Sequence, residues 1–333
     1  MILALFSFVF LFVAAATLDL MSPGTASAFE RKPQKPAIVL AGFGTTDVGG
    51  LQSILNIQKK VTEAFPDYDI HLAFTSNIIR DIWHQRASDQ EFRKANPSVP
   101  DYIYDIKNAL TVLADIQENG ARLVLVQSLH VTDGEEYTDL AKLVEALANY
   151  KTVKDVLKPF PWIGVGEPAL GVGDGQPKYI ARAVEALKPL AEAAKVENAN
   201  LVLMGHGNEI LTQKVYGHLL EGLRKAYGPH IYLGTVEAPP HAPEILEEIN
   251  KVQDAPKVIY LAPLMVVAGD HAHNDMAGDE PDSWKSIFTA GGYTVKPHME
   301  GLGSLDSWAE IYVEHLKALE PKVKEQYDKD PNK

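Results

Sequence analysis

Ile38-Val39-Leu40-Ala41-Gly42-Phe43-Gly44 and Val202-Leu203-Met204-Gly205-His206-Gly207 are two versions of one segment, a short apolar run that ends in Gly-x-Gly. A run of this kind closed by glycines reads as a buried strand leading into a tight turn. The turn residue is Phe43 in the first version and His206 in the second, so the pair separates what folds the segment from what could work in it.

Outward from this pair the match continues in the same order. Asp69-Ile70-His71-Leu72-Ala73-Phe74-Thr75-Ser76 lines up with His230-Ile231-Tyr232-Leu233-Gly234-Thr235-Val236-Glu237. The stretch from Leu123 to Tyr137 lines up with that from Val258 to Ala272, and Ile163 to Gly171 with Val295 to Gly303. Four matches in one order define an internal repeat. Strand-like runs at 37–40, 69–74, 123–127, 162–165, 201–204, 231–236, 258–262 and 293–295 alternate with amphipathic helical stretches, the pattern of parallel sheets covered by helices.

The expected fold is therefore α/β, with two Rossmann-like lobes, each a four-stranded parallel sheet flanked by helices, related by internal duplication. The lobes are expected at 29–175 and 176–333, joined near the Gly- and Pro-rich stretch 164–177, with a cleft where the carboxyl ends of the strands open. A last helix, about 305–327, is in position to pack back across the first lobe, and the polar tail 328–333 is expected to be disordered.

Residues 1–28 read differently. An apolar run from Ile2 to Leu18 is followed by Ser22-Pro23-Gly24 and then Ala26-Ser27-Ala28, the small-x-small form of a signal-peptidase site. Asp19 interrupts a run close to the shortest that spans a bilayer, which favours a cleaved leader over a retained anchor, while the absence of a basic segment before Ile2 counts against the leader reading. The mature chain is expected to start at Phe29 and to be periplasmic, with no membrane contact after cleavage.

The 333 residues, 46% hydrophobic and 23% charged, suffice for a full core. A formal charge of −13 argues against binding nucleic acid through its phosphates. The absence of cysteine excludes disulfides, iron–sulfur clusters, thiolate zinc sites and cysteine nucleophiles, so any metal falls to His, Asp or Glu. Neither Gly42-Phe43-Gly44 nor Gly205-His206-Gly207 completes G-x-G-x-x-G or a P-loop with its lysine, so neither NAD nor ATP is expected.

Overlaying the halves sets Phe43 against His206, Ser76 against Glu237 and Glu136 against His271. The second half thus carries His, Glu and His at the carboxyl ends of three strands, the edge on which open α/β folds place their ligands. Two imidazoles and a carboxylate suit Co²⁺, Fe²⁺, Ni²⁺ or Zn²⁺ and leave coordination positions open. Each residue also has a plainer role open to it. His206 can bond loop backbone, the acids around His271 can cap a helix, and Glu136 can sit at the start of a helix over 138–148, where the dipole favours acids. Glu237 follows an apolar strand, where a carboxylate is costly unless hydrated, paired or bound to a cation. His273, two residues past His271, points elsewhere.

Gly205-His206-Gly207, Glu136-Tyr137 after Leu129-His130, and above all Pro263-Leu264-Met265-Val266-Val267-Ala268-Gly269-Asp270-His271-Ala272 with Asn274-Asp275-Met276-Ala277 and Asp282-Ser283-Trp284-Lys285 resemble the anaerobic cobaltochelatase family. The similarity runs over essentially the whole mature chain. That family belongs to the class II chelatases, and the resemblance implies ATP-independent insertion of Co²⁺, with Fe²⁺ as an alternative, into the tetrapyrrole sirohydrochlorin on the route to cobalamin. It also implies that His206 and His271 bind the metal and assist deprotonation, that Glu237 is a further ligand, and that Glu136 is an acid across the cleft. An exported form departs from the usual cytoplasmic setting, which opens other metallo-tetrapyrrole traffic as its role.

A macrocycle loses two pyrrole N–H protons as the cation enters, so the site needs a metal donor on one face and proton acceptors close by. His206 is the first choice of base, while Glu136 and Glu237 stabilise cationic intermediates and draw in Co²⁺. Two other readings stay open: a periplasmic metal-binding protein of an importer, and a chelatase whose main product is an iron or nickel tetrapyrrole. The oligomeric state is open too, with a homo-oligomer allowed.

Overall fold

The computed structural model describes residues 35–154, 157–207 and 210–328; the expected leader at 1–28 and the tail from 329 onward lie outside the described residues. Among the described residues, eight strands form two sheets. The first holds β1 (Ala37–Gly42), β2 (Asp69–Phe74), β3 (Leu123–Ser128) and β4 (Trp162–Gly166) in the order β2-β1-β3-β4. The second holds β5 (Asn200–Gly205), β6 (Ile231–Thr235), β7 (Val258–Leu264) and β8 (Thr294–Pro297) in the order β6-β5-β7-β8, and every pairing is parallel.

The helices are α1 (Val48–Ala64), α2 (Asn77–Arg86), α3 (Gln90–Ala95), α4 (Ala109–Glu118) and α5 (Glu135–Ala148) in the first half. In the second half they are α6 (Pro177–Ala186), α7 (Lys188–Val196), α8 (Ile210–Tyr227), α9 (Ala242–Asn250) and α10 (Trp284–Ala290), followed by α11 (Asp306–Asp328). Among the described residues no helix is long and apolar enough to cross a membrane.

The strand registers reproduce the sequence repeat residue for residue. Gly42 pairs with Phe74 as Gly205 pairs with Thr235, and Ala41 with Ser128 as Met204 with Pro263. Leu123 pairs with Trp162 as Val258 pairs with Thr294. Because strand side chains alternate between faces, a slip of one residue would exchange core and outer surface, so equal registers mean equal faces.

Both faces of each sheet are covered, as parallel strands require. Ala37, Val39, Ala41, Val124 and Val126 point into an outer core shared with α4 and α5, whereas Val202, Met204, Ile259 and Leu261 do the same with α9 and α10. The alternate residues Ile38, Leu40, Leu125, Leu201 and Leu203 point into one central core common to both sheets. The halves therefore share a core, and both sheets fall in one compact unit that begins at Lys35.

Helix α11 closes this core. It packs on α1, β3 and β4, with Trp308, Tyr312 and Leu316 fully buried in the central cluster. Burial of each such side chain contributes roughly 2–3 kcal/mol. The last helix of the chain thus covers a sheet built from the first half.

Candidate metal centre and cleft

His206 leaves β5 at its carboxyl end, in a turn that admits no side chain at the next position. Gly207 has φ +80°, and a Cβ there would stand 2.5 Å from Thr235 Oγ1. Its counterpart Gly44 has φ +95°, with a Cβ falling 2.6 Å from the Phe74 ring, so both Gly-x-Gly turns are held by the same left-handed geometry. The His206 carbonyl accepts from the backbone N–H of Val236 at 3.1 Å and of Glu237 at 2.9 Å. Thr235 N–H donates to Pro240 O at 2.9 Å and closes the turn beyond. Glu237 is thereby tied through backbone to the residue whose ring it faces, and its own side chain is exposed.

His271 reaches the same place from β7. It precedes a π-helical turn, Ala272–Met276, in which Ala277 N–H donates to Ala272 O at 3.1 Å. This wide turn brings Asp275 Oδ2 to 2.5 Å from His271 Nδ1. Wide turns of this type recur at functional sites.

The hydrogen bonds set the neutral tautomer of both rings. His206 Nδ1 lies 2.6 Å from Gly207 O, an atom that only accepts, so in the neutral ring Nδ1 carries the proton and the Nε2 lone pair is left for a ligand. His271 Nδ1 faces the Asp275 carboxylate with the same consequence. The two rings lie edge to face with centroids 4.9 Å apart. Donor atoms of His206, Glu237 and His271 all lie within 4.8 Å of one another. An ion bonded to each at about 2.0–2.2 Å needs tetrahedral donor separations of about 3.4 Å, and the exposed Glu237 side chain has room to adjust.

These histidines form one wall of a cavity of about 450 Å³, within the range of small-molecule sites. Much of its lining is apolar, with Leu40, Ala73, Phe74, Ile79 and Leu129 from the first half and Leu264 and Met265 from the second. Phe43, the counterpart of His206, lines the cavity and is 52% exposed, so the cavity opens at that rim.

Glu136 lines the cavity from α5, which starts at Glu135 and places Glu136 in its first turn. Its Oε2 accepts a hydrogen bond from Thr75 Oγ1 and lies 3.4 Å from His130 Nε2. Burial pushes the Glu136 carboxyl up, but the His130 and Thr75 donors and the charges of His130 and His206 outweigh it and hold the carboxyl below the usual carboxylate range. Glu136 is therefore an anion at neutral pH, facing a site built for a cation.

His206, Glu237 and His271, read from the sequence as a ligand set, come together; Glu136, read as an acid across the cleft, stands on another wall of the same cavity. His273 is exposed, and its Nδ1 bonds Gly269 O at 3.0 Å, away from the cluster. Three residues around the site escaped the sequence reading in these roles. Asp275 orients His271, and the four-residue spacing on a turn was the signal for it. Thr75 and His130 contact Glu136 from separate elements, and no local pattern joins them.

The chain matches the cobalt chelatase (CbiK) family over residues 36–320. It is 31% identical over 306 residues to the sirohydrochlorin cobaltochelatase CbiKC of Nitratidesulfovibrio vulgaris strain Hildenborough, covering 90% of this chain and 98% of that one. It is 29% identical over 294 residues to the sirohydrochlorin cobaltochelatase of Salmonella typhimurium strain LT2, covering 87% and 99%. Among solved structures, the sirohydrochlorin chelatase SirB from Bacillus subtilis subspecies spizizenii in complex with cobalt superposes with a TM-score of 0.51 at 13% identity, over 87% of this chain and 97% of that one, which is a likeness of fold.

Proposed function

The chain belongs to the cobalt chelatase family, whose members are metal chelatases, and from that premise we propose that it inserts Co²⁺ into sirohydrochlorin without ATP, releasing two protons. One observation carries the reading. Two imidazoles and a carboxylate bring ligand atoms within 4.8 Å of one another, and both imidazoles line a cavity that Glu136 also lines.

The cation is substrate here. His206, Glu237 and His271 hold it with coordination positions left for the incoming macrocycle. The apolar part of the lining receives the flat ring and excludes water. As pyrrole nitrogens take over the metal, the Nε2 atoms of His206 and His271 are released and each accepts one of the two pyrrole protons; binding and base action use the same lone pairs, so they occur in turn. Glu136, an anion across the cavity, attracts the cation and stabilises positive charge while the ring is half deprotonated. The names of the two relatives support Co²⁺ as the physiological metal; Fe²⁺ fits the same donor set. The apolar run at 2–18 and the Ala26-Ser27-Ala28 site support a periplasmic form of this enzyme.

Anaerobic incubation of the purified protein with sirohydrochlorin and Co²⁺ or Fe²⁺, followed by absorbance, tests the proposal. Conversion of the free-base spectrum into that of the cobalt complex is expected, faster than in buffer. A protein that binds Co²⁺ but leaves the macrocycle spectrum unchanged would be a metal carrier, and the chelatase reading would fall.

A further inference from the structure

We propose that Thr75 and His130 are positioning residues that aim the Glu136 carboxylate into the cleft, and that the first half of the molecule was shaped around this carboxylate as the second half was around the metal. The inference rests on the chelatase reading and adds residues to it.

The geometry comes first. Thr75 follows β2, where its backbone N–H donates to Gly42 O at 2.8 Å and its carbonyl accepts from the buried Arg80 guanidinium at 2.8 Å. Its hydroxyl has nowhere to drift and donates to Glu136 Oε2. His130 follows β3. Its Nδ1 lies 2.8 Å from Ser128 Oγ, which also accepts the His130 backbone N–H at 3.3 Å. Ser128 Oγ can donate to Nδ1, and in that tautomer the imidazole proton sits on Nε2. That Nε2 is out of solvent, has no closer partner among the described residues, and lies 3.4 Å from Glu136 Oε2. A buried ring nitrogen aimed at one carboxylate oxygen, at the cost of a full hydrogen bond elsewhere, calls for a reason.

The repeat supplies an independent reason. By strand register and sequence offset, Thr75 corresponds to Val236, Ser128 to Pro263 and His130 to Met265. All three polar groups are replaced by apolar or donor-free residues in the half that holds the ligands. The framework does not need them, since the second half folds to the same strand order and register without them. They occur together only where Glu136 occurs. The Thr75 hydroxyl bond and the His130 ring nitrogen 3.4 Å away meet at the same oxygen, Oε2, and together set the direction in which the carboxylate faces the cleft.

The test compares Thr75→Val, Thr75→Ser and His130→Phe in the full chain, with thermal melting as a control for folding. Co²⁺ binding, read from the visible spectrum of the bound ion without macrocycle, is expected to match wild type in all three, because the ligands lie in the other half. Insertion of Co²⁺ into sirohydrochlorin is expected to lose roughly tenfold or more in kcat in Thr75→Val and His130→Phe, with KM little changed, the loss of a hydrogen bond to an ion in the transition state. Thr75→Ser, which keeps the hydroxyl, is expected to restore the rate. Wild-type kcat in Thr75→Val and His130→Phe, or a Thr75→Ser variant as slow as Thr75→Val, would overturn the inference. Absence of insertion by the wild-type protein would instead sink the chelatase reading itself.

Discussion

The two halves of the molecule share strand order and register, yet their carboxyl ends carry different chemistry. In the first half the residue after the second strand, Ser76, starts a helix at once, its hydroxyl accepting from Ile79 N–H at 3.4 Å. In the second half the equivalent residue is Glu237, and Ala238-Pro239-Pro240 delay the next helix until Ala242. The delay leaves Glu237 on a turn pinned to His206, free to bind. Likewise Phe43 and His206 occupy equal turns, but one puts an apolar ring on the cavity lining and the other an imidazole able to ligate a cation. The lesson is that one framework can be specialised at its strand ends without disturbing the sheet, because those side chains lie outside the packed faces.

The comparison is broken most severely by emptying the ligand set. His206→Ala and His271→Ala are each expected to lower Co²⁺ affinity and insertion rate by more than about a hundredfold, beyond the cost of losing a supporting partner, with melting behaviour little changed because neither ring is in the core. Titration with Co²⁺ and the insertion assay measure both, and wild-type rates in either variant would remove these residues from the site.

A smaller effect is expected one step out. Asp275→Asn keeps the size of the side chain but removes the charge that holds the Nδ1–H tautomer of His271, and metal affinity should fall roughly 10–100-fold. Affinity within twofold of wild type would mean that the π-helical turn alone orients the ring.

At Ser76, also in the first half, the expected effect is on stability. Ser76→Ala removes a helix N-cap and is expected to cost about 0.5–1 kcal/mol, at the low end of such substitutions because the bond is long. Denaturant melts at constant pH measure it, and an unchanged midpoint would mean that the cap is idle. The smallest effect is the pH dependence around Glu136. Its carboxyl is held below the usual range in the folded state, so its favourable contribution is full at neutral pH and is lost as pH falls through that depressed value. The stability difference between wild type and Glu136→Gln should therefore shrink on acidification. A difference that grows as pH falls would reverse the sign of the argument.

Much of this was legible in the chain itself. Short apolar runs such as 123–127 and their helical spacers marked the strands, and the segments that repeat in the sequence occupy equal registers in the structure. Element ends were less legible. The helix read as starting at 138 starts at Glu135, because Gly134 takes the extended cap conformation and lets the acidic pair enter the first turn. That shift matters, since it brings Glu136 onto the cavity wall.

By itself the sequence determined the fold class, the repeat, and the identity of the three groups able to ligate a cation, because periodicity and residue type are local properties that survive without coordinates. Only the tertiary structure decided that His206, Glu237 and His271 meet within 4.8 Å, that Gly207 O and Asp275 leave Nε2 of both neutral imidazoles for a ligand, and that Thr75 and His130 converge on Glu136. Those facts depend on parallel crossovers that bring the ends of distant strands to one edge, and on turns whose path is set by hydrogen bonds between segments far apart in the chain.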